Sequence, residues 1–555
     1  MSTANARDPA ERVETASTPI RSADMLFFTP SVRRRNGPDD RPELSTMTVL
    51  ILGDCLTRSG PLADTDTDAT VLMIEARGFA RRKPYHPHKL TLVFSAMRHF
   101  RDELRADGYD VEYHTVGTFA EGFDDHFDAH PNDHVVTTRR LAHGGTDRLR
   151  ELIEARGGTV EFRDDPRFLC SPDGFDEWAD GDPPYRHEGF YRHMRRETGY
   201  LMAEGEPVGD EWNFDDENRQ FPGEGYEPPE PPCFEPDETT RDVAEWVAEE
   251  YGDAGYDGPP YGTGWADPEA FFWPVTRSEA LEALDAFIED RLPEFGPYQD
   301  AKLDSEWSMN HALLSSSLNV GLLRPPEVIE AAIDAFEEGR APIESVEGFI
   351  RQVLGWREFV RHAYRREPGM ASANGLDATE DLPEFFWTGD TEMACLSDAI
   401  DGVRSRGYSH HIERLMLLSN FATTYGIEPK QLNKWFHAAY VDAYHWVTTP
   451  NVVGMGTFGT DTLSTKPYAA SANYVDRMSD YCSGCQYYKT KTTGEGACPF
   501  NTLYWDFLGR NEDTLRSNHR MGLVYSHWDN KDGDEREAIE ERAEELRRRA
   551  ESGRL

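Results

Sequence analysis

The feature that most constrains this chain is a run of three cysteines between Arg477 and Asn501. Cys482 and Cys485 form a C-x2-C pair, and Cys498 follows after a twelve-residue spacer carrying Lys, Tyr and Gly. No second pair forms, because Pro499, Phe500 and Asn501 come next. Thiolates bind soft metals and clusters, and a structural zinc and a cubane both need four donors, so three leave the set one short. The fourth must come from elsewhere in the chain, and Cys395 is the best remaining candidate. The Cys-Pro step at Cys498 echoes the ending of ferredoxin-type motifs, which tilts the choice toward iron and sulfur over zinc. The alternative is a reduced pair plus a buried core cysteine, but buried cysteines rarely recur at ligand spacing.

With 555 residues the chain exceeds one ordinary core, so two or more domains are expected. Seven cysteines, no signal peptide and no long apolar run predict a soluble, cytoplasmic protein with reduced thiols and no membrane contact, and a monomer is expected. The net charge is −44, from 102 acidic against 58 basic residues, and nine of the basic residues are lysine. Such a surface stays hydrated in concentrated salt, as a halophile's cytoplasm demands. At molar salt long-range fields are screened within about 3 Å, so the acidic charge does not exclude DNA and local contacts decide partners.

Residues 1–46 lack periodicity and read as a flexible extension. From there to about residue 170, short apolar strands at Thr48–Gly53, Val71–Ile74 and Val111–His114 alternate with a helical pattern at Leu90–Leu104, which predicts a parallel α/β domain over 47–170. Asp54, after Gly53, and Glu75 stand at strand C-ends, where such sheets bind ligands; an ordinary turn aspartate satisfies the same pattern at Asp54. There is neither a G-x-G-x-x-G nor a Walker motif. Residues 171–237 form an aromatic connector closed by a proline-rich stretch. Its Arg192, Arg195 and Arg196, beside Tyr191, suit phosphates and bases, or simply a solvated helix face. A largely α-helical domain over 238–530 and a charged helical tail over 531–555 follow, with helices expected at Ser278–Leu292, Pro325–Glu338, Val346–Arg365, His410–Tyr425 and Pro429–Val447. The serines from Ser315 to Ser317 precede an apolar segment and suit a phosphate cradle or a serine-rich turn.

Taken together, Leu-Ser-Ser-Ser-Leu-Asn-Val-Gly from Leu314, Gly-Trp-Arg-Glu-Phe from Gly355, His410-His411 with Arg414, Pro450-Asn451 with Gly454, Thr465-Lys466-Pro467-Tyr468 and the Cys482 stretch resemble the iron-sulfur bacterial cryptochromes and photolyases, the prokaryotic (6-4) photolyases. The resemblance implies an α/β antenna domain joined to a helical FAD domain, and light-driven repair of UV-damaged DNA. It implies a [4Fe-4S] cluster on Cys395, Cys482, Cys485 and Cys498 and a 6,7-dimethyl-8-ribityllumazine antenna near Gly53, Asp54 and Glu75. It places Ser315 and Asn319 in the flavin-phosphate segment, Trp356, Arg357 and Arg361 on the helix over the flavin, Arg414 and Asp442 as an ion pair beside it, and Asn451 among its contacts. Trp435 and Trp387 resemble the electron relay, and His411, with His410, matches the active-site histidine. A second histidine of the animal-type enzymes is Leu415 here. In the antenna domain Gly53-Asp54-Cys55-Leu56 replaces the relatives' Gly-Asp-Gln-Leu, and His86-Pro87-His88-Lys89 replaces their His-His-Lys run. Reversing a (6-4) lesion requires a flipped base, an electron from the cofactor and a proton donor that titrates near working pH. A blue-light receptor without repair and a flavin-free, cluster-bearing module like the primase large subunit are the rival expectations.

Overall fold

Five parallel strands, β1 (Met47–Ile51), β2 (Thr70–Ala76), β3 (Asp110–Val116), β4 (His134–Thr138) and β5 (Thr159–Arg163), form one sheet in the order β3-β2-β1-β4-β5 in the computed structural model. The structure describes residues 47–555 except 64, 66, 68, 182, 224, 252–264, 267–269, 305 and 554; the expected extension over 1–46 lies outside the described residues. The central strands are apolar on both faces, as a sheet covered on both sides requires. Leu50, Leu72 and Ile74 pack under Phe123, Phe127 and Ile153, while Val49, Ile51, Val71 and Met73 join a core that continues into the helical half through Leu92, Val328 and Leu354.

Parallel neighbours need crossovers, and helices supply them. Helix Pro87–Ala106 links β2 to β3, and helix Phe119–Ala129 links β3 to β4. The second begins with a reciprocal cap between Thr118 and Glu121. It lies so close to the sheet that a Cβ on Gly122 would stand 2.7 Å from Ile74, which is why glycine occupies that turn. The expected strands and the Leu90–Leu104 helix are present with slightly longer bounds, except that β1 spans Met47–Ile51 where the sequence predicts Thr48–Gly53.

Beyond the connector the chain is helical among the described residues, apart from a two-stranded ribbon within the connector itself. One expected helix differs. The pattern at Pro429–Val447 predicts one helix, but the chain leaves it at Tyr440, whose backbone is extended (φ −109°, ψ 138°), and resumes at His445–Thr449. The break frees Asp442 to meet Ser315 and Arg414, so a buried charge pair overrides helix periodicity. The charged C-terminal segment is a helix, Gly533–Glu551, docked into the helical half: Ile539, Ala543 and Leu546 are buried, and Arg547 pairs with Asp506 on helix Pro499–Arg510. Four segments, Phe287–Arg291, Arg351–Arg357, Glu413–Ser419 and Pro450–Gly456, are wound as π-helix. Such widened turns concentrate at functional sites.

Candidate functional site

Four cysteines converge in the helical half. Cys395 lies in the first turn of helix Ala394–Arg406, Cys482 in the short helix Tyr481–Gly484, Cys485 directly after it, and Cys498 caps helix Pro499–Arg510. Pro499 takes the first helical position, where an N–H would have no partner. All four thiols are unpaired and line one small apolar cavity with Tyr481 and Phe500. Burial, together with the three facing thiols, pushes the Cys395 pKa well up, and burial pushes Cys498 up to about 12. Four converging soft donors in an apolar pocket, with no disulfide among them, fit a tetrathiolate metal or cluster.

A second constellation forms around Asp442. Arg414 donates to both its oxygens at 3.0 Å, and the Ser315 hydroxyl donates at 2.7 Å. Asn319, one turn beyond Ser315, donates its amide to the Asp442 carbonyl at 2.8 Å. Burial alone would raise the Asp442 carboxyl, but Arg414 and Ser315 outweigh it and hold the pKa below the ordinary value. The Arg414 guanidinium also lies over the Tyr440 ring at 4.2 Å. Arg357 reaches this group from the π-segment Arg351–Arg357, donating to Leu318 O at 3.2 Å. Around it the hydroxyls of Ser316 and Ser317 are buried without a hydrogen-bond partner. Orphaned buried hydroxyls cost free energy, so their presence marks a place built for a polar ligand.

Three histidines adjoin the pair. His311 and His410 stack face to face at 4.5 Å and 14°, both buried, while His411 stands edge-on to His311 at 5.7 Å with its side chain open to solvent. The His411 ring is accessible yet crowded by protein atoms, so it lines a recess. Desolvation there, with the Arg414 and Lys302 cations, lowers its pKa against the pull of Asp300. Behind the stack the His410 amide donates to Glu413 at 3.1 Å, and the Tyr481 hydroxyl, beside the cysteine cavity, lies 3.4 Å from the other Glu413 oxygen. Burial, then the nearby Asp398, lifts Glu413 to about 8, so it carries a proton at neutral pH. The buried Lys302 ammonium has no hydrogen-bond partner, and burial lowers it to about 8. His311, Lys302, Glu413 and Tyr440 escape sequence reasoning because nothing in their local patterns sets them apart.

The remaining expected residues fall in several places. The Trp435 indole is fully buried, donates to Phe386 O at 2.9 Å and lies 5.8 Å from Tyr440, and Trp387 packs on Trp265 at 5.8 Å. Trp356 stacks on His187 of the connector at 3.9 Å, Arg361 lies over Phe168 at 4.1 Å, and the Asn451 amide donates to Val447 O within its own helix. These three are thus held by protein contacts and do not join the Asp442 group.

At the sheet end, Asp54 is paired with Arg140, and Glu75 accepts from Arg98 at 2.9 Å, from Arg77 at 3.3 Å and from the Tyr113 hydroxyl at 2.5 Å. A Cβ on Gly53 would stand 2.6 Å from the Met97 sulfur, so that glycine serves packing. Among the connector arginines, the expectation that Arg195 meets phosphate is corrected. Its side chain is fully buried, bound to the carbonyls of Leu201 and Trp212, because it lies on the inner face of helix His187–Thr198. Arg192 pairs with Glu188 at the surface, and Arg196 lies over Trp212 at 4.7 Å.

A family model described as deoxyribodipyrimidine photo-lyase-related protein matches residues 49–255. A (6-4) photolyase of Agrobacterium fabrum is 42% identical over 490 residues, covering 86% of this chain and 95% of that protein. An uncharacterized protein of Acanthamoeba polyphaga mimivirus is 35% identical over 115 residues, 20% of this chain and 85% of its own. The crystal structure of a bacterial class III photolyase from Agrobacterium tumefaciens shares the fold, with a TM-score of 0.58 at 16% identity over 92% of this chain and 99% of that one.

Proposed function

The chain belongs to the prokaryotic (6-4) photolyase family, and on that premise we propose that it reverses UV-induced (6-4) pyrimidine photoproducts in DNA by light-driven, flavin-dependent electron transfer. The observation that carries the assignment of roles is the histidine cluster: of three adjoining rings, His411 alone is open to the recess and borders the Arg414–Asp442 pair. A base turned out of the duplex meets His411 first.

When bound, FAD supplies the electron that loosens the lesion and takes it back at the end. Ser315, Ser316, Ser317 and Asn319 would hold its phosphates, since the serine hydroxyls at 316 and 317 have no partner within the protein. Arg414 and Asp442 would stand beside the ring, the cation fixed by two hydrogen bonds so that it does not reorganise when charge arrives. His411 holds the proton that must reach the migrating hydroxyl. Its lowered pKa leaves a weakly held proton once a DNA phosphate favours the imidazolium. His410, buried against His311, positions His411 and does not touch the lesion. Trp435 and Trp387 would pass electrons inward from the protein side, with Tyr440 between Trp435 and Arg414. A [4Fe-4S] cluster would sit on Cys395, Cys482, Cys485 and Cys498, which fit it in number and softness, and would there tie three helices together. The lumazine antenna fits less well. Asp54 and Glu75 have their carboxylates taken by arginines. Arg192 and Arg196, which stay at the surface, would be the connector cations to meet phosphate.

Illuminated, reduced wild-type protein should restore lesion-bearing DNA. His411→Ala should lower turnover about a hundredfold or more while retaining flavin and lesion binding, because a proton donor used in the transition state contributes little to uniform binding. Wild type that photoreduces its flavin but repairs neither (6-4) nor cyclobutane lesions would replace this reading with that of a light receptor.

A further inference from the structure

Outside the recess, the sheet's edge strand carries a second cluster of ligating side chains. Glu112 and His114 are two apart on β3 and so point to one face, which helix Phe119–Ala129 covers. On that helix and its cap, His126 and His130 are four apart and meet the same spot, their rings 4.9 Å apart. We propose that Glu112, His126 and His130 form a binding site for one divalent transition ion of the zinc class, with His114 as the fourth neighbour.

The distances suit such an ion. His126 Nδ1 lies 2.7 Å and His130 Nε2 3.6 Å from the same Glu112 oxygen, and one donor atom of each residue lies within 4.8 Å of the others. Tetrahedral bonds of about 2.0–2.1 Å set neighbouring donors roughly 3.3 Å apart, between those two values. The outer contacts are also in place. The second nitrogen of His126 lies 3.2 Å from the buried Asp133 carboxylate, which would take its N–H and leave the Nδ1 lone pair facing Glu112. His114 Nε2 is 2.6 Å from the other Glu112 oxygen, and its Nδ1 is 3.6 Å from Asp125. It therefore either completes the set or clamps the carboxylate. Imidazole with carboxylate selects zinc, cobalt or nickel over magnesium and calcium, which prefer all-oxygen shells. The ring of His126 is fully buried while that of His130 is 33% exposed, so the site opens to solvent on the His130 side. Bound there, the ion would clip an edge strand, the least supported part of any sheet, to the helix above it.

The test uses the full chain with its flavin and cluster in place, equilibrated with zinc chloride, desalted, and analysed for zinc and iron by mass spectrometry. Wild type should retain one zinc per chain beyond its iron, and Glu112→Gln and His130→Gln should each weaken retention tenfold or more. His130→Gln removes a partly exposed side chain, so the variant keeps its fold. Cobalt in place of zinc should give ligand-field absorption without sulfur-to-cobalt charge transfer. Failure of wild type to keep zinc, retention by both variants equal to that of wild type, or a thiolate band with cobalt would overturn the proposal, leaving Glu112 as the centre of an ion-pair network.

Discussion

The sheet end and the helical recess both bury charged and polar groups, yet they treat them in opposite ways. At the sheet end Glu75 has three donors and Asp54 a paired arginine, so the carboxylates there are satisfied by the chain itself. In the recess the hydroxyls of Ser316 and Ser317, both ring nitrogens of His410 and the Lys302 ammonium have no hydrogen-bond partner. A group that answers its own charges is finished architecture, whereas a group that leaves them open needs a ligand to complete it. Position alone, the C-terminal edge of a parallel sheet, would have pointed to the first region as a principal binding site. Hydrogen-bond satisfaction points to the second.

The contrast can be broken most drastically at the cysteines. Cys395→Ala should abolish iron binding and destabilise the helical half, because metal binding and folding are linked; iron and labile sulfide analysis with thermal melts checks both, and a zinc-only content in wild type would remove the cluster from the account. At the sheet end, Arg98→Ala should cost about 3 kcal/mol in denaturant unfolding, the usual penalty for stripping a buried carboxylate of its main partner, without altering flavin content. A loss of flavin in that variant would mean the two regions are not separate in function.

The third prediction concerns pH. Glu413 is raised from its ordinary 4.5 to about 8, so the folded state holds its proton more tightly than the unfolded chain does. That contribution is complete below pH 4.5 and is lost as pH rises toward 8. Glu413→Gln should therefore gain stability relative to wild type between pH 5 and pH 8 at fixed salt, and a pH-independent difference would show that Glu413 is ionised throughout. The smallest effect is expected at Ser316. Because its hydroxyl bonds to nothing in the protein, Ser316→Ala should change the stability of flavin-free protein by less than about 0.5 kcal/mol, yet weaken retention of FAD. A larger stability loss would make the hydroxyl structural.

Much of this was legible in the chain. Cysteine counting pointed to Cys395 as the fourth thiol because ligand sets have fixed size, and the α/β half was readable because strands buried on both faces leave continuous apolar runs. Periodicity failed at Tyr440–Tyr444, where a charge pair formed with residues from distant segments outweighs local propensity. It also left Arg195 ambiguous, since an arginine on the inner face of a helix has the same neighbours in sequence as one on the outer face. Glu413 and Lys302 were invisible for a related reason. What distinguishes them is burial by distant segments, which no local pattern records.

Three of the four π-segments carry residues that the sequence resemblance places around a flavin, namely Trp356 and Arg357, Arg414, and Asn451. Each segment holds the equivalent of one residue more than an α-helix would use over the same length, so the helix beyond it is out of phase by about 100°. Residue count there matters as much as residue identity. Deleting one residue from Arg351–Arg357 would rewind the turn and swing every side chain of the following helix, Glu358–Arg366, by more than a quarter of a circle. The same arithmetic explains how such a site can arise: a single inserted codon redirects a set of side chains without rewriting any of them.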